Sequence, residues 1–249
     1  MRTAAILPVK RFAQAKRRLG ESVADPLRLE LARAMVGDVL TALAETAAIE
    51  LTIVVTGEPS VAATARAGGA IAIEDTAQDG QSAAVQLGVR RALDAGIERV
   101  LCIPGDCPTL DPVELEALLG SPLDRRSGSD TTATRAGGQS HSLDCLIEVV
   151  IVPDRHGTGT NGLLLTPPDA ITPSFGPGSR ERHQALARAA GASCRVELPA
   201  SLLLDIDTGA DLAALRDRLS GARTRAPRTR AVLGLPASTD ALPATAGAG

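Results

Sequence analysis

Four short apolar runs, each followed by a helical period, constrain this chain more than any other feature. "TAAILPV" (3–9), "LTIVV" (51–55), "AIAI" (70–73) and "RVLCI" (99–103) are too short for helices. They carry no polar alternation, so they read as strands buried on both faces. Asp25-Pro26 opens the first helix as cap and first-turn proline, with Leu27, Leu31, Ala34, Met35, Leu40 and Leu43 at helical spacing to about Glu45. Ser60 to Ala67 form a second helix, "GQSAAVQLGVRRALDAG" (80–96) a third stopped by Gly96, and "DPVELEALLG" (111–120) a fourth capped by Asp111. The alternation predicts an α/β domain with a mostly parallel central sheet and helices on both faces. Right-handed crossovers then bring every strand C-terminus to one rim, along with the loops 10–20, 74–81 and 104–111.

Further along the rhythm changes. Residues 121–142 are polar and rich in Ser, Thr, Gly and Arg, which predicts a mobile surface insertion. "LIEVVIV" (146–152) and "SCRVEL" (193–198) read as strands, "RERHQALARAAG" (180–191) and "DTGADLAALRDRL" (207–219) as helices, the last capped by Asp207. Residues 1–219 thus form one domain, and 220–249, lacking periodicity, are expected to be a disordered tail.

Composition removes several classes of function. The 249-residue chain has a formal charge of −3, no Trp or Tyr, and two Phe. It therefore offers neither the aromatic platforms nor the overall basicity of a nucleic-acid binder. No apolar run is long enough to span a membrane, and the opening residues do not form a signal peptide, so a cytoplasmic location is expected. Cys102, Cys107, Cys145 and Cys194 lack CxxC pairing, which favours reduced thiols. With His141 or His156 they lack the paired spacing of a zinc site.

The chemistry-bearing residues fall on the expected rim. Lys10, Arg11, Lys16, Arg17 and Arg18 follow the first strand without a glycine until Gly20, so any anion there is held by side chains; Lys10 and Lys16 suit a triphosphate. Asp106, in "IPGDCPTLDP", is fixed beside prolines and suits a hard divalent cation. Asp205 and Asp207 alternate with Ile206, and such like charges call for a cation or donors. Asp207 has capping as a competing task, whereas Asp205 has none. "GTGTN" (157–161) supplies short donors, and Gly176, Gly178 and Ser179 lead into a helix start suited to phosphate or carboxylate. His156 and His183 are expected on the surface. With no general base in evidence, in-line nucleotidyl transfer to an already anionic nucleophile fits best.

Taken in order, "PVKRFAQAKRRL", "GDCPTLDP", "VPDRHGTGTN", "FGPGSRERH" and "LLLDIDTGADL" resemble the guanylyltransferases of coenzyme F420 biosynthesis. The resemblance implies a Rossmann-like, GT-A-like nucleotidyltransferase domain similar to the molybdenum-cofactor guanylyltransferases, and admits a homodimer. It implies transfer of GMP from GTP to phosphoenolpyruvate with loss of pyrophosphate. The alternatives are 2-phospho-L-lactate or 3-phospho-D-glycerate as acceptor, or a molybdenum-cofactor-type transfer. It also implies catalytic roles for Lys10, Lys16 and Asp106, and Mg2+ held by Asp106, Asp205 and Asp207. Pro8, Lys10, Lys16, Gly80 and Ser82 fall on the nucleotide side. Thr160, Asn161, Gly176 and Ser179 fall on the acceptor side. Gly80-Gln81-Ser82 stands where the family has "GLN", a departure on the base side of the pocket.

Overall fold

The computed structural model describes residues 1–13, 18–21, 23–120, 147–221 and 225–237. Strands β1 (Thr3–Val9), β2 (Leu51–Thr56), β3 (Ile71–Glu74), β4 (Arg99–Cys102), β5 (Glu148–Val152), β6 (Gly162–Thr166) and β7 (Ser193–Val196) form one sheet. Their spatial order is β3-β2-β1-β4-β6-β5-β7. The pairings β1–β2, β1–β4, β2–β3 and β5–β7 are parallel. Strand β6 runs against both of its neighbours. The sequence pattern does not announce this reversed strand, and it matters to the site. Its N-terminal end lies at the rim where the other strands end.

The helices are α1 (Asp25–Ala44), α2 (Pro59–Ala67), α3 (Gln81–Asp94), α4 (Pro112–Leu119), α5 (Ser179–Ala189), α6 (Gly209–Leu219) and α7 (Pro227–Val232). Alternation along each buried strand divides the core into two layers. Ala5, Leu7 and Val9 of β1 pack with Val36, Val39 and Leu43 of α1 and Leu115 of α4. Ala4 and Ile6 face the other way, toward Val85 and Val89 of α3. At Gly88 of α3 the helix lies so close to β1 that an added Cβ would stand 2.5 Å from Ile6 Cγ2. Gly88→Val is accordingly expected to cost about 2–3 kcal/mol and lower the thermal midpoint by about 5–10 °C, read by calorimetry.

Capping follows the sequence at one helix and departs from it at two. Asp111 caps α4, accepting from Val113 N at 2.8 Å. In α1 the cap position is Ala24, and Asp25 instead sits in the first turn, bonded to Arg28 Nε at 3.0 Å. Helix α6 is capped by Thr208 in a reciprocal box with Asp211, so Asp207 is not its cap.

The expected disordered tail needs correcting. Residues 225–237 include α7, which is held by a residue distant in sequence. Asp38, buried on α1, accepts from Arg228 N at 3.1 Å and Thr229 N at 2.8 Å. Burial raises the Asp38 carboxyl above its ordinary range, and the Thr229 and Arg228 donors oppose that rise. Ala226 and Leu233 join a third apolar cluster with Leu31, Met35, Leu204, Ile206 and Leu212. Residues 238–249 and the insertion at 121–142 lie outside the described residues.

The chain enters and leaves that insertion at one end of the sheet. Leu119 O, at the close of α4, accepts from Arg99 Nη1 at 2.7 Å, and Arg99 opens β4. Ile147 O, just before β5, accepts from Ser193 N at the start of β7. Among the described residues no helix is long and apolar enough to cross a membrane. Cys102, Cys107 and Cys194 are thiols outside any disulfide.

Candidate active site

A cleft of about 940 Å³ opens on the rim where the parallel strands end and β6 begins. It takes Pro8 from β1 and the exposed Lys10 from the loop that follows it. Gly80, at the N-cap of α3, lines the neighbouring wall with a φ of 98°. Lys16 lies outside the described residues. Ser82 stands behind the lining, where its Oγ accepts from Phe175 N at 2.9 Å.

Asp106 leaves β4 on the loop that ends in α4, and Asp205 precedes α6. Both line the cleft. Their segments are joined directly, Ile206 N donating to Asp106 O at 3.2 Å. Ile206 itself is fully buried, so the residues on either side of it are turned toward the opening: Asp205 half-buried, Asp207 exposed. Segment 203–208 is irregular, yet it turns both carboxylates to the cleft. Asn161, only 5% exposed, donates from Nδ2 to Leu202 O at 2.9 Å and to Asp205 Oδ1 at 3.2 Å. Burial, and after it the charge of Asp106 with a smaller addition from Asp207, raises the Asp205 carboxyl above its ordinary range despite the Asn161 bond. Two carboxylates thus share a site that disfavours both being charged, a situation a cation relieves. Among the described residues no group of three or more His, Cys, Asp or Glu is arranged to hold a metal. A pair of oxygen donors nevertheless suits magnesium, which characteristically takes one or two carboxylates and completes its shell with water and phosphate.

Beside these carboxylates lies a group of polar donors. Asn161 N donates to Val152 O at 2.8 Å, closing the turn that reverses the chain into β6 and carrying Thr160 to the rim. Gly178 adopts a left-handed φ of 69° at the N-cap of α5, which turns Ser179 inward as the first helical residue. Gly176, Thr160 and Ser179 all line the opening, and Ser179 Oγ meets Thr160 Oγ1 at 3.0 Å. His183, expected on the surface, is fully buried behind them. The polar composition of "RERHQALARA" conceals a face that α5 packs against the sheet. His156 is exposed, as expected.

Two acidic residues of the lining are not singled out by the sequence motifs. Asp75, immediately after β3, accepts from Gln78 N at 2.9 Å, and Asp154, just after β5, accepts from Thr158 N at 3.0 Å. The same end-of-strand rule that points to Asp106 would find both.

Comparison with known proteins finds relatives over most of the chain. A phosphoenolpyruvate guanylyltransferase of Conexibacter woesei is 46% identical over 233 residues, covering 94% of this chain and 96% of its own. Another, from Sphaerobacter thermophilus, is 35% identical over 215 residues, covering 86% and 93%. A solved protein of Desulfovibrio desulfuricans G20, assigned as a nucleotide-diphospho-sugar transferase, superposes with a TM-score of 0.65 at 18% identity, covering 94% and 95%; it speaks to fold alone. The family described as "Guanylyl transferase CofC like" matches residues 3–228, which takes in every described element but the last turns of α7. With fold, rim and sequence in agreement, this chain belongs to the CofC-like guanylyl transferases.

Proposed function

We propose that this protein transfers GMP from GTP to phosphoenolpyruvate and releases pyrophosphate, using Mg2+, as a step of coenzyme F420 biosynthesis. The observation that carries the reading is the meeting of Asp106 and Asp205 in one cleft with Lys10 and the Thr160–Ser179 pair. The names of the relatives support phosphoenolpyruvate as acceptor.

In this reading a phosphate oxygen of the acceptor attacks the α-phosphorus of GTP. A new P–O bond forms as the bond to the β-phosphate oxygen breaks, and the electron pair leaves with pyrophosphate. The nucleophile is already an anion, so no proton need be removed. Lys10, with Lys16 assigned the same task from the sequence, offsets charge on the departing pyrophosphate. Asp106 and Asp205 would hold the cation, with the exposed Asp207 as a third carboxylate beside them. Magnesium, when bound, acts as a Lewis acid on the nucleotide phosphates. Pro8, Gly80 and the wall that Ser82 supports border the nucleotide. Thr160, Asn161, Gly176 and Ser179 fix the acceptor, which supplies the orientation on which such displacements depend.

Pyrophosphate release should require GTP, Mg2+ and a phosphorylated acid together, with phosphoenolpyruvate turned over faster than 2-phospho-L-lactate or 3-phospho-D-glycerate. Faster turnover of either alternative would reassign the acceptor. Equal use of ATP or CTP would remove the guanylyl assignment. The same reading takes the protein as cytoplasmic and admits a homodimer, which sedimentation measures.

A further inference from the structure

His183 takes no part in the chemistry above, yet both of its ring nitrogens are engaged. The Ser174 amide donates to Nε2 at 2.9 Å, and Nδ1 lies 3.1 Å from Thr160 Oγ1. The Phe175 ring meets the imidazole in a T-shaped contact, with centroids 5.2 Å apart. An amide N–H can only donate, so Nε2 is the accepting nitrogen. A neutral ring then carries its proton on Nδ1, and Thr160 Oγ1 must accept it. Burial, with the charge of Arg182 adding to it, lowers the imidazole to about 4, so the ring is neutral at physiological pH.

That tautomer restricts the two hydroxyls in front of it. Thr160 and Ser179 share one hydrogen bond and have two hydroxyl protons between them. One proton fills the shared bond. The other cannot be directed back at His183, whose facing nitrogen already bears a hydrogen, so it is left for whatever occupies the cleft. Phosphate and carboxylate oxygens only accept, and a hydroxyl pair locked as a donor is complementary to them. Without the ring, Thr160 could turn its proton inward and present lone pairs to the anion.

We infer that His183 is a positioning residue for the acceptor: it sets the proton direction of the Thr160–Ser179 pair so that one O–H always faces an anionic oxygen. The inference rests on the reading that this pair faces the acceptor rather than the nucleotide.

Steady-state kinetics of His183→Ala and His183→Asn test it, with GTP and phosphoenolpyruvate varied separately. The Asn amide can occupy the Nδ1 position and still donate to Thr160. His183→Ala should raise the KM of the acceptor about tenfold or more and leave that of GTP within about twofold, and His183→Asn should recover most of the loss. Equal rises in both KM values, or an Asn variant no better than Ala at matched melting temperature, overturn the inference. Nitrogen-15 NMR of the wild-type protein reads the tautomer directly, free of any folding defect in a variant. A proton on Nδ1 is expected, and a proton on Nε2 or a cationic ring at pH 7 overturns the inference. A wild-type enzyme inactive with every phosphorylated acid would instead overturn the guanylyltransferase reading. Calorimetry with inorganic phosphate would then compare wild type with His183→Ala, weaker binding by the variant supporting the donor pair and equal binding refuting it.

Discussion

Asp106→Asn is expected to lower turnover by at least about a thousandfold, since under the proposed mechanism it removes a charge that would anchor the cation and hence the developing phosphate charge. The same substitution should leave the metal-free protein as stable as the parent, or more so. The backbone carbonyl of Asp106, which accepts from Ile206 N, is untouched by the change. The Asp205 carboxyl lies above its ordinary range in the fold, in part because Asp106 is charged. A raised carboxyl means that stability falls as pH climbs through the interval between its unfolded and folded values. Neutralising Asp106 relieves part of that penalty, so the loss of melting temperature with rising pH should shrink. Turnover and calorimetry in EDTA check the two halves separately. Retained turnover would take Asp106 out of the cation site; a marked fall in melting temperature would make its role structural.

The second large effect concerns the C-terminal helix. A chain stopped after Gly221 should lose about 4–6 kcal/mol, because the buried Leu233 side chain and the hydrogen bonds that the Arg228 and Thr229 amides donate to Asp38 go together. That is a large share of the stability of an ordinary domain, and a fall in thermal midpoint of roughly 10–20 °C is expected. Activity should fall as well. Leu204 and Ile206, which flank Asp205, share an apolar cluster with Ala226 and Leu233, so the truncation loosens the loop that carries the carboxylate. A truncated protein with unchanged melting temperature and turnover would show that α7 contributes nothing to either.

What can be read from the sequence, and what cannot, follows from where the information resides. Strands β1, β2 and β4 are continuous apolar runs whose neighbours have a clear helical period, so local pattern suffices to place Lys10 and Asp106 on the rim. Strand β6 is only "GLLLT", next to a glycine-rich turn, and its direction is set by pairing with β4 and β5 rather than by its own residues. Helix α7 depends on Asp38, far away in sequence, and "PRTRAV" has no apolar period of its own. His183 escapes a local reading for a related reason: burial belongs to the packed face of α5, and most of that helix is polar. The alternation of Asp205 and Asp207 about Ile206 marks Asp205 as a candidate ligand in the sequence, but its coupling to Asp106 emerges only in the fold, where the segment carrying it is a bend held by the neighbouring loop.

One geometric detail bears on how such enzymes diversify. The connection between α4 and β5 departs beside Arg99 and returns beside Ser193, at the foot of the sheet, opposite the cleft. Both ends of that connection are thus held at strand starts, so a change in its length is expected to leave the register of the strands on either side intact.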